Sequence, residues 1–201
     1  MIDTLSINGI SVKAIAQGSS ERNISAVISK RHLKKALNSL HESFFLSGKR
    51  VMNLFIVGIG NVGRELIKQL LKQKQYLSEN EHIELRLIGI ANSRKMAFSE
   101  DGFDESEWHN PLEKGEEMSI GAFIGRMAEL NKRNSIFIDN TANAEVAGSY
   151  LEILKKSISV VTPNKIACSS KYADYLQLKK AALKYNANFY FETNVGAGLP
   201  V

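Results

Sequence analysis

A glycine-rich turn after an apolar stretch carries the clearest chemical signal in this chain. Its spacing, G-x-G-x-x-G, comprises Gly58, Ile59, Gly60, Asn61, Val62 and Gly63. Between a buried strand and a helix, this spacing is the fingerprint of dinucleotide binding. Gly58 would allow the tight turn, Gly60 the close approach of a pyrophosphate, and Gly63 the close packing of helix on strand. A glycine-rich turn that binds no ligand is the alternative.

The elements after this turn would complete such a site. We predict a helix over 62–74, whose N-terminal N–H groups and dipole stabilise phosphates. The next predicted strand, 83–91, runs into the polar residues Asn92, Ser93, Arg94 and Lys95, and no acidic residue follows until Glu100. An acid here would bind the ribose 2′-hydroxyl of NAD, so its absence favours NADP or both cofactors. Arg94 and Lys95 as solvated loop residues are the alternative.

Polar residues also follow two later predicted strands. The strand over 135–139 leads into a turn that contains Thr141, and the strand over 157–162 leads into a turn that ends at Lys165. Ligands of open α/β sheets lie outside the carboxyl ends of the strands. Lys165 could therefore meet a phosphate, a carboxylate or a carbonyl oxygen, and a surface lysine is an equally good interpretation.

The segment 192–200 (ETNVGAGLP) combines one carboxylate with a glycine-rich backbone. Its side chains offer few hydrogen-bonding groups, so its polar groups are mostly main-chain N–H and C=O. Carbonyl and carboxylate oxygens suit a hard cation. A plain turn is the alternative.

These motifs need a scaffold of alternating strands and helices. From residue 51 onward, the hydrophobic pattern predicts strands at 52–57, 83–91, 135–139, 157–162 and 188–192, and helices at 62–74, 120–130, 144–155 and 170–185. Strands separated by helices pair in parallel, which predicts an α/β doubly wound sheet of Rossmann type. The acidic stretch before Ser119 is predicted to be a surface excursion that carries Trp108, and Ser119 is predicted to cap the helix that follows.

The pattern is different upstream. Two strands, at 10–16 and 24–28, and a helix at 30–45 are predicted there. Gly48 can take the left-handed backbone conformation that ends a helix, so it marks the predicted boundary between the two parts of the chain. We therefore expect a partial α+β module at 1–48 and a Rossmann domain at 49–201.

Composition excludes several classes of protein. With 201 residues, 44% hydrophobic and 23% charged, the chain has neither the composition of a disordered protein nor that of a disulfide scaffold. It has no apolar run of the ~20 residues that span a bilayer. A single cysteine, Cys168, and the lack of a secretory signal predict a reducing, cytoplasmic setting. The net charge is +5, but the basic residues are scattered in short groups, which argues against nucleic-acid binding.

Five motifs, in order, resemble the homoserine dehydrogenase family. They are VGIGNVG (57–63), ANSRK (91–95), DNTAN (139–143), VVTPNK (160–165) and ETNVGAGLPV (192–201). The segment IAQGSSERNISAVI (15–28) resembles the end of the ACT-type regulatory region of aspartokinase. Together they resemble the bifunctional aspartokinase/homoserine dehydrogenases. The resemblance implies NAD(P)-dependent interconversion of L-aspartate 4-semialdehyde and L-homoserine, on the way to threonine and methionine.

The resemblance also implies roles for individual positions. The pyrophosphate would be held by residues 58–63. The adenosine end would be bound by Ser93 and Arg94, next to Asn92, and the nicotinamide side by Thr141 and Lys165. A cation, usually sodium, would bind Glu192 and the carbonyls of Val195, Ala197 and Leu199. Gln17 would correspond to a position associated with a threonine effector.

The family also uses residues outside these motifs, and this limits the activity that we expect of the chain. The resemblance implies a homo-oligomer in the full-length form and places the proton-transfer residues beyond Val201, so that we assign no catalytic residue within this chain. We therefore expect this chain to bind NADP or NAD without full activity. The alternatives are a non-enzymatic, amino-acid-binding regulatory module with a Rossmann scaffold, and a dehydrogenase for another amino-acid aldehyde.

Overall fold

A computed structural model describes residues 1–17, 24–45, 49–104 and 107–191. The chain divides into two units, residues 1–48 and 49–201. Within the described ranges, no helix is both long and apolar enough to cross a membrane. Two predicted features, the boundary glycine Gly48 and the loop 192–200, lie outside the described residues.

The first unit is a small α+β module. It consists of α1 (Ile2–Ile7), β1 (Val12–Gln17), β2 (Ile24–Ile28), a 3-10 turn (Lys30–His32) and α2 (Leu33–Phe45). The strands pair antiparallel, and Leu5, Ile10 and Ala36 form the buried core. The two strands and the long helix agree with the prediction. Helix α1 was not predicted, because its six residues bury only Leu5 and form no side-chain cap.

In the described residues of the second unit, seven strands form a mixed sheet with helices packed on both faces. Its strands are β3 (Arg50–Val57), β4 (Ile83–Ala91), β5 (Lys95–Phe98), β6 (Glu116–Glu117), β7 (Ser135–Asp139), β8 (Ser159–Val161) and β9 (Phe189–Tyr190). Its helices are α3 (Asn61–Glu79), α4 (His109–Glu113), α5 (Ile120–Leu130), α6 (Ala144–Gly148), α7 (Tyr150–Lys155), α8 (Ile166–Ser169) and α9 (Tyr172–Lys184). The spatial order is β6-β5-β4-β3-β7-β8-β9.

The strand order defines a Rossmann fold. Strands β4, β3, β7, β8 and β9 run parallel. The chain passes from β3 to β4 on one side and later returns to β7 on the other, so that the order reverses beside β3. A crevice opens outside the strand ends at such a switch point, and ligands bind there.

Alternation along β3 produces the two hydrophobic layers. Leu54 and Ile56 pack in the cluster that includes Ile67 of α3. Phe55 and Val57 pack in the cluster that includes Phe123 of α5. A strand that is covered on both faces has a nearly continuous apolar sequence, which is why a buried strand was predictable at 52–57.

The structure confirms the doubly wound parallel sheet and adds two antiparallel strands to it. Strand β5 turns back antiparallel to β4, and β6 pairs antiparallel with β5 at the edge. The predicted surface excursion is wrong for Trp108, which is 5% exposed and packs in the hydrophobic cluster beneath α3 and α4. The predicted helix over 144–155 is two helices, with the break at Ser149.

Candidate functional site

The glycine turn between β3 and α3 has two glycines that the protein itself requires. Gly58 has a φ of +90°, and a Cβ there would lie 2.7 Å from Thr141 Cγ2. A Cβ on Gly63 would lie 2.3 Å from the main-chain oxygen of Gly58. Contacts this short require the backbone to shift, so these two glycines allow the turn to close and α3 to pack against it.

Gly60 is different from its two neighbours. A Cβ there would meet no described atom within 4 Å, and its φ of −92° is open to any residue. Gly60 is the N-cap of α3 and provides no side chain to cap the helix. The first N–H groups of the helix therefore receive no hydrogen bond from an N-cap side chain, an arrangement that suits anion binding.

A cleft of about 610 Å³ lies over this turn at the switch point. Six residues predicted from the sequence line it, namely Gly58, Ile59, Gly60, Asn92, Ser93 and Thr141. Asn140 and Glu145 are among its other lining residues. The remaining predicted residues, which are Asn61, Val62, Gly63, Arg94 and Lys165, do not line this cleft. The first three belong to the first turn of α3.

One buried polar atom at the cleft has no partner within the described part of the chain. The Asn140 side-chain amide nitrogen is buried without a hydrogen bond. It lies 3.4 Å from the position that a Cβ on Gly63 would occupy. Buried donors are normally paired, so an unpaired one beside a cleft fits an acceptor supplied by a ligand.

The end of β4 forms a tight hairpin into β5. The Asn92 side-chain oxygen accepts the N–H groups of Arg94 and Lys95, both at 2.8 Å. Ser93 and Arg94 are thereby held exposed at the tip. The Lys95 ammonium donates to the main-chain oxygen of Gly115 at 2.9 Å, so it is engaged within the protein. The Arg94 guanidinium has no hydrogen bond or ion pair with any residue that the structure describes.

A buried polar network joins the ends of β7 and β8. Asp139, Tyr150, Thr162 and Asn164 are each at most 3% exposed. The Tyr150 hydroxyl donates to Asp139 Oδ2 at 2.5 Å, and the Asn164 amide donates to the same oxygen at 3.0 Å. Thr162 Oγ1 lies 2.9 Å from Tyr150 Oη and accepts the N–H of Asn164 at 2.8 Å.

The two predicted nicotinamide-side residues extend from this network. Thr141 is half-buried, and its N–H donates to Asp139 Oδ1 at 2.7 Å. Lys165 is exposed at the start of α8, directly after Asn164. Gln17 is exposed at the end of β1, opposite Ile24. The predicted cation ligands Glu192, Val195, Ala197 and Leu199 lie outside the described residues, and the described part of the chain contains no cluster of metal-binding side chains.

Comparison with known proteins assigns this arrangement to a family. The family model described as "Homoserine dehydrogenase, NAD binding domain" matches residues 58–192, more than half of the chain. The chain belongs to the homoserine dehydrogenase family. An ACT domain model matches residues 1–44, within the unit upstream of this homoserine dehydrogenase region.

Individual relatives agree with the family assignment. Bifunctional aspartokinase/homoserine dehydrogenase of Haemophilus influenzae is 42% identical over 193 residues, which cover 96% of this chain and 23% of the relative. Bifunctional aspartokinase/homoserine dehydrogenase 2, chloroplastic, of Zea mays is 39% identical over 203 residues, 100% of this chain and 22% of the relative. The chain thus spans less than a quarter of the length of these two relatives.

A solved structure matches the homoserine dehydrogenase fold of this chain. It is a hyperthermophilic archaeal homoserine dehydrogenase in complex with NADPH, which is 25% identical, with a TM-score of 0.61. The match covers 76% of this chain and 47% of that one. The family assignment favours the dehydrogenase over the non-enzymatic regulatory module.

Sequence reasoning did not identify the buried network at the ends of β7 and β8. Asp139, Thr162 and Asn164 all lie within motifs singled out in the sequence, but Tyr150 lies in a predicted helix with nothing to distinguish it. The available signal was the carboxylate at the end of a buried strand, since an interior charge needs partners. That signal does not reveal which partners the fold brings to it.

The network makes a testable difference to stability at high pH. Burial first, and then the negative charge of Asp139, raise the pKa of Tyr150 well above its ordinary value. An unfolded tyrosine loses its proton near pH ~10. Above that pH, the folded chain holds a proton that the unfolded chain has released, so stability falls as pH rises.

Above pH ~10, Tyr150 should make the free energy of unfolding fall by up to about 1.4 kcal/mol for each pH unit. We expect Tyr150→Phe to remove this contribution. Urea unfolding at several pH values measures the slope. Tyr76→Phe, which removes a tyrosine that is 53% exposed, is the matched control and should keep the slope of the unaltered chain. The same slope in the Tyr150→Phe variant would contradict the interpretation.

Proposed function

We propose that this chain is the cofactor-binding part of a homoserine dehydrogenase and binds NADP or NAD in the cleft over the glycine turn. The observation that carries the proposal is the contrast among the three glycines. The fold itself explains Gly58 and Gly63, whereas no described atom lies within 4 Å of the position that a Cβ on Gly60 would occupy, so the fold leaves open space there. A pyrophosphate on the N–H groups at the start of α3 would fit that space.

The site offers residues for each part of the cofactor. Residues 58–63 would hold the pyrophosphate, with Asn140 supplying an unpaired donor. Asn92 shapes the hairpin that carries Ser93 and Arg94, which would meet the adenosine end. Thr141 and Lys165 would lie on the nicotinamide side. When bound, the nicotinamide would supply or accept the hydride, and this chain's residues would bind and orient it.

The choice between NADP and NAD depends on the hairpin tip. The Arg94 side chain is exposed, and its guanidinium has no partner among the described residues, so it is available for a 2′-phosphate. The sequence from Asn92 to Ser99 contains no acidic residue of the kind that would select a 2′-hydroxyl. The archaeal relative that was solved in complex with NADPH supports the same preference.

We expect Arg94→Ala to weaken NADPH binding by about 10- to 100-fold, because a hydrogen bond to a charged group contributes about 1.5–3 kcal/mol. NADH binding should stay unchanged. Lys95→Ala is the matched control, because Lys95 already donates to Gly115 and should affect neither cofactor. Fluorescence titrations with both nucleotides measure the four affinities. If Arg94→Ala weakens NADPH and NADH binding equally, Arg94 does not recognise the 2′-phosphate. If it weakens neither, Arg94 is a solvated loop residue.

The full reaction that we propose is the NAD(P)-dependent interconversion of L-aspartate 4-semialdehyde and L-homoserine. It is supported by relatives named for this activity, of which this chain matches less than a quarter. We expect the 201 residues to bind cofactor but to turn over homoserine poorly. Robust homoserine-dependent reduction of NADP by this chain alone would overturn the second expectation.

Further ligands and partners are proposed from the sequence. We propose a sodium ion on Glu192 and the carbonyls of Val195, Ala197 and Leu199, and an amino-acid effector, threonine, at the ACT-like unit near Gln17. Sodium-dependent NADPH binding that Glu192→Gln removes would support the first proposal, and threonine-induced thermal stabilisation would support the second. Homo-oligomerisation in a full-length form and a cytoplasmic location stay predictions; the Zea mays relative is named chloroplastic.

A further inference from the structure

We propose that Asp139, Tyr150, Thr162 and Asn164, here named the strand-end clamp, are positioning residues for the nicotinamide half of the cofactor site. The inference rests on the proposed cofactor binding and adds a role for residues that line no part of the cleft itself. Its basis is the way in which these buried groups join the two turns that carry Thr141 and Lys165.

A single carboxylate connects the two turns. Asp139 Oδ1 accepts the N–H of Thr141 at 2.7 Å, on the turn after β7. Asp139 Oδ2 accepts the side-chain amide of Asn164 at 3.0 Å, on the turn after β8. Because both contacts end on one planar group, the Thr141 backbone cannot move relative to Asn164 without breaking one of them.

The Asn164 side chain makes further hydrogen bonds to both turns. Its amide nitrogen also donates to the main-chain oxygen of Asn143 at 3.1 Å, and its Oδ1 accepts the N–H of Ile166 at 3.2 Å. Lys165 is therefore flanked by two residues whose positions are held by hydrogen bonds. The lysine side chain itself stays exposed.

The buried hydroxyls complete the clamp. Tyr150, from α7, donates to Asp139 and lies 2.9 Å from Thr162 Oγ1. Both residues are 0% exposed. Apolar side chains of similar shape would often stabilise a protein core as well as buried polar groups do, whereas a fully satisfied network specifies one geometry. Here that geometry is the relative placement of Thr141, which lines the cleft, and Lys165.

The test compares a whole cofactor with its adenosine half. The unaltered chain, Tyr150→Phe and Asn164→Ala are titrated with NADPH and with 2′-phospho-ADP-ribose, which lacks the nicotinamide. NADH and ADP-ribose replace this pair if NADH binds more tightly. We expect both variants to bind the whole cofactor about tenfold more weakly, which corresponds to about 1.4 kcal/mol. Their affinity for the half-cofactor should stay within about twofold of the unaltered chain, since the adenosine site is on other strands.

Two controls separate positioning from general loss of stability. Ser135→Ala removes a buried hydroxyl at the opposite end of β7, where it donates to the oxygen of Lys132 at 2.8 Å. That variant should lose stability and keep its NADPH affinity. Thr162→Ser keeps the hydroxyl and should bind like the unaltered chain, whereas Thr162→Val should behave like Tyr150→Phe. Circular dichroism at the assay temperature gives the folded fraction, to which every affinity is referred.

Each outcome decides between defined alternatives. If affinity falls equally for the whole cofactor and the half-cofactor, or falls for neither, the positioning role is overturned and the proposed function is left intact. The positioning role would also be overturned if Ser135→Ala lost as much NADPH affinity as Tyr150→Phe. An unaltered, folded chain that binds neither nucleotide would overturn the proposed function, and the positioning role with it.

Discussion

Gly63→Ala is expected to destabilise the Rossmann unit by about 3 kcal/mol, at the upper end of the cost of overpacking. The added methyl would lie 2.3 Å from the main-chain oxygen and 3.2 Å from the main-chain carbon of Gly58. The obstacle is backbone rather than the end of a flexible side chain, so the turn between β3 and α3 must move. Urea unfolding followed by far-UV circular dichroism measures the loss.

Gly125→Ala is the matched control for this substitution. Gly125 lies inside helix α5, and a Cβ there would meet nothing within 4 Å. Alanine forms helix more readily than glycine, so this variant should gain about 1 kcal/mol. A Gly63→Ala variant as stable as the unaltered chain would show that the turn is not packed as described.

Gly60→Asp is expected to lower NADPH affinity by about 100-fold or more, through charge repulsion in a partly enclosed site. The same substitution should leave the fold intact or stabilise it by a few tenths of a kcal/mol, because aspartate is a good N-cap and complements the helix dipole. The two effects have opposite signs because Gly60 is the N-cap of α3 and has open space where a side chain would point. Thermal unfolding and nucleotide titration measure them separately.

Gly60→Ser controls for the charge. Serine also caps a helix and adds a Cβ, but it is neutral, so its affinity for NADPH should fall between those of the unaltered chain and Gly60→Asp. If Gly60→Asp binds NADPH as tightly as the unaltered chain, the pyrophosphate does not lie on this turn. If it unfolds the chain, a side chain at position 60 does not have open space around it.

The elements with a strong local signal were predictable from the sequence. Strand β7 and helix α5 have the predicted bounds, and Ser119 caps α5 by accepting the N–H of Ala122. The turn over 58–63 was recognisable because its glycine spacing follows an apolar strand and opens a helix. Periodicity and capping act within a few residues, so they can be read without knowledge of the fold.

The features that were missed depend on contacts between distant residues. The antiparallel strand β5 follows from the hairpin that Asn92 closes, which looks like an ordinary polar loop in sequence. Trp108 is buried because its neighbours from other elements cover it, although it lies in an acidic segment. The strand-end clamp links Asp139 to Asn164, 25 residues away, and no local pattern pairs them.

The central claim is that this chain binds a dinucleotide on its glycine turn, and titration of the 201-residue chain with NADPH, followed by nucleotide fluorescence, tests it most directly. The account predicts a saturable change in fluorescence with one site per chain, which Gly60→Asp abolishes while the protein stays folded. A folded chain that gives no saturable change with NADPH or NADH would contradict it.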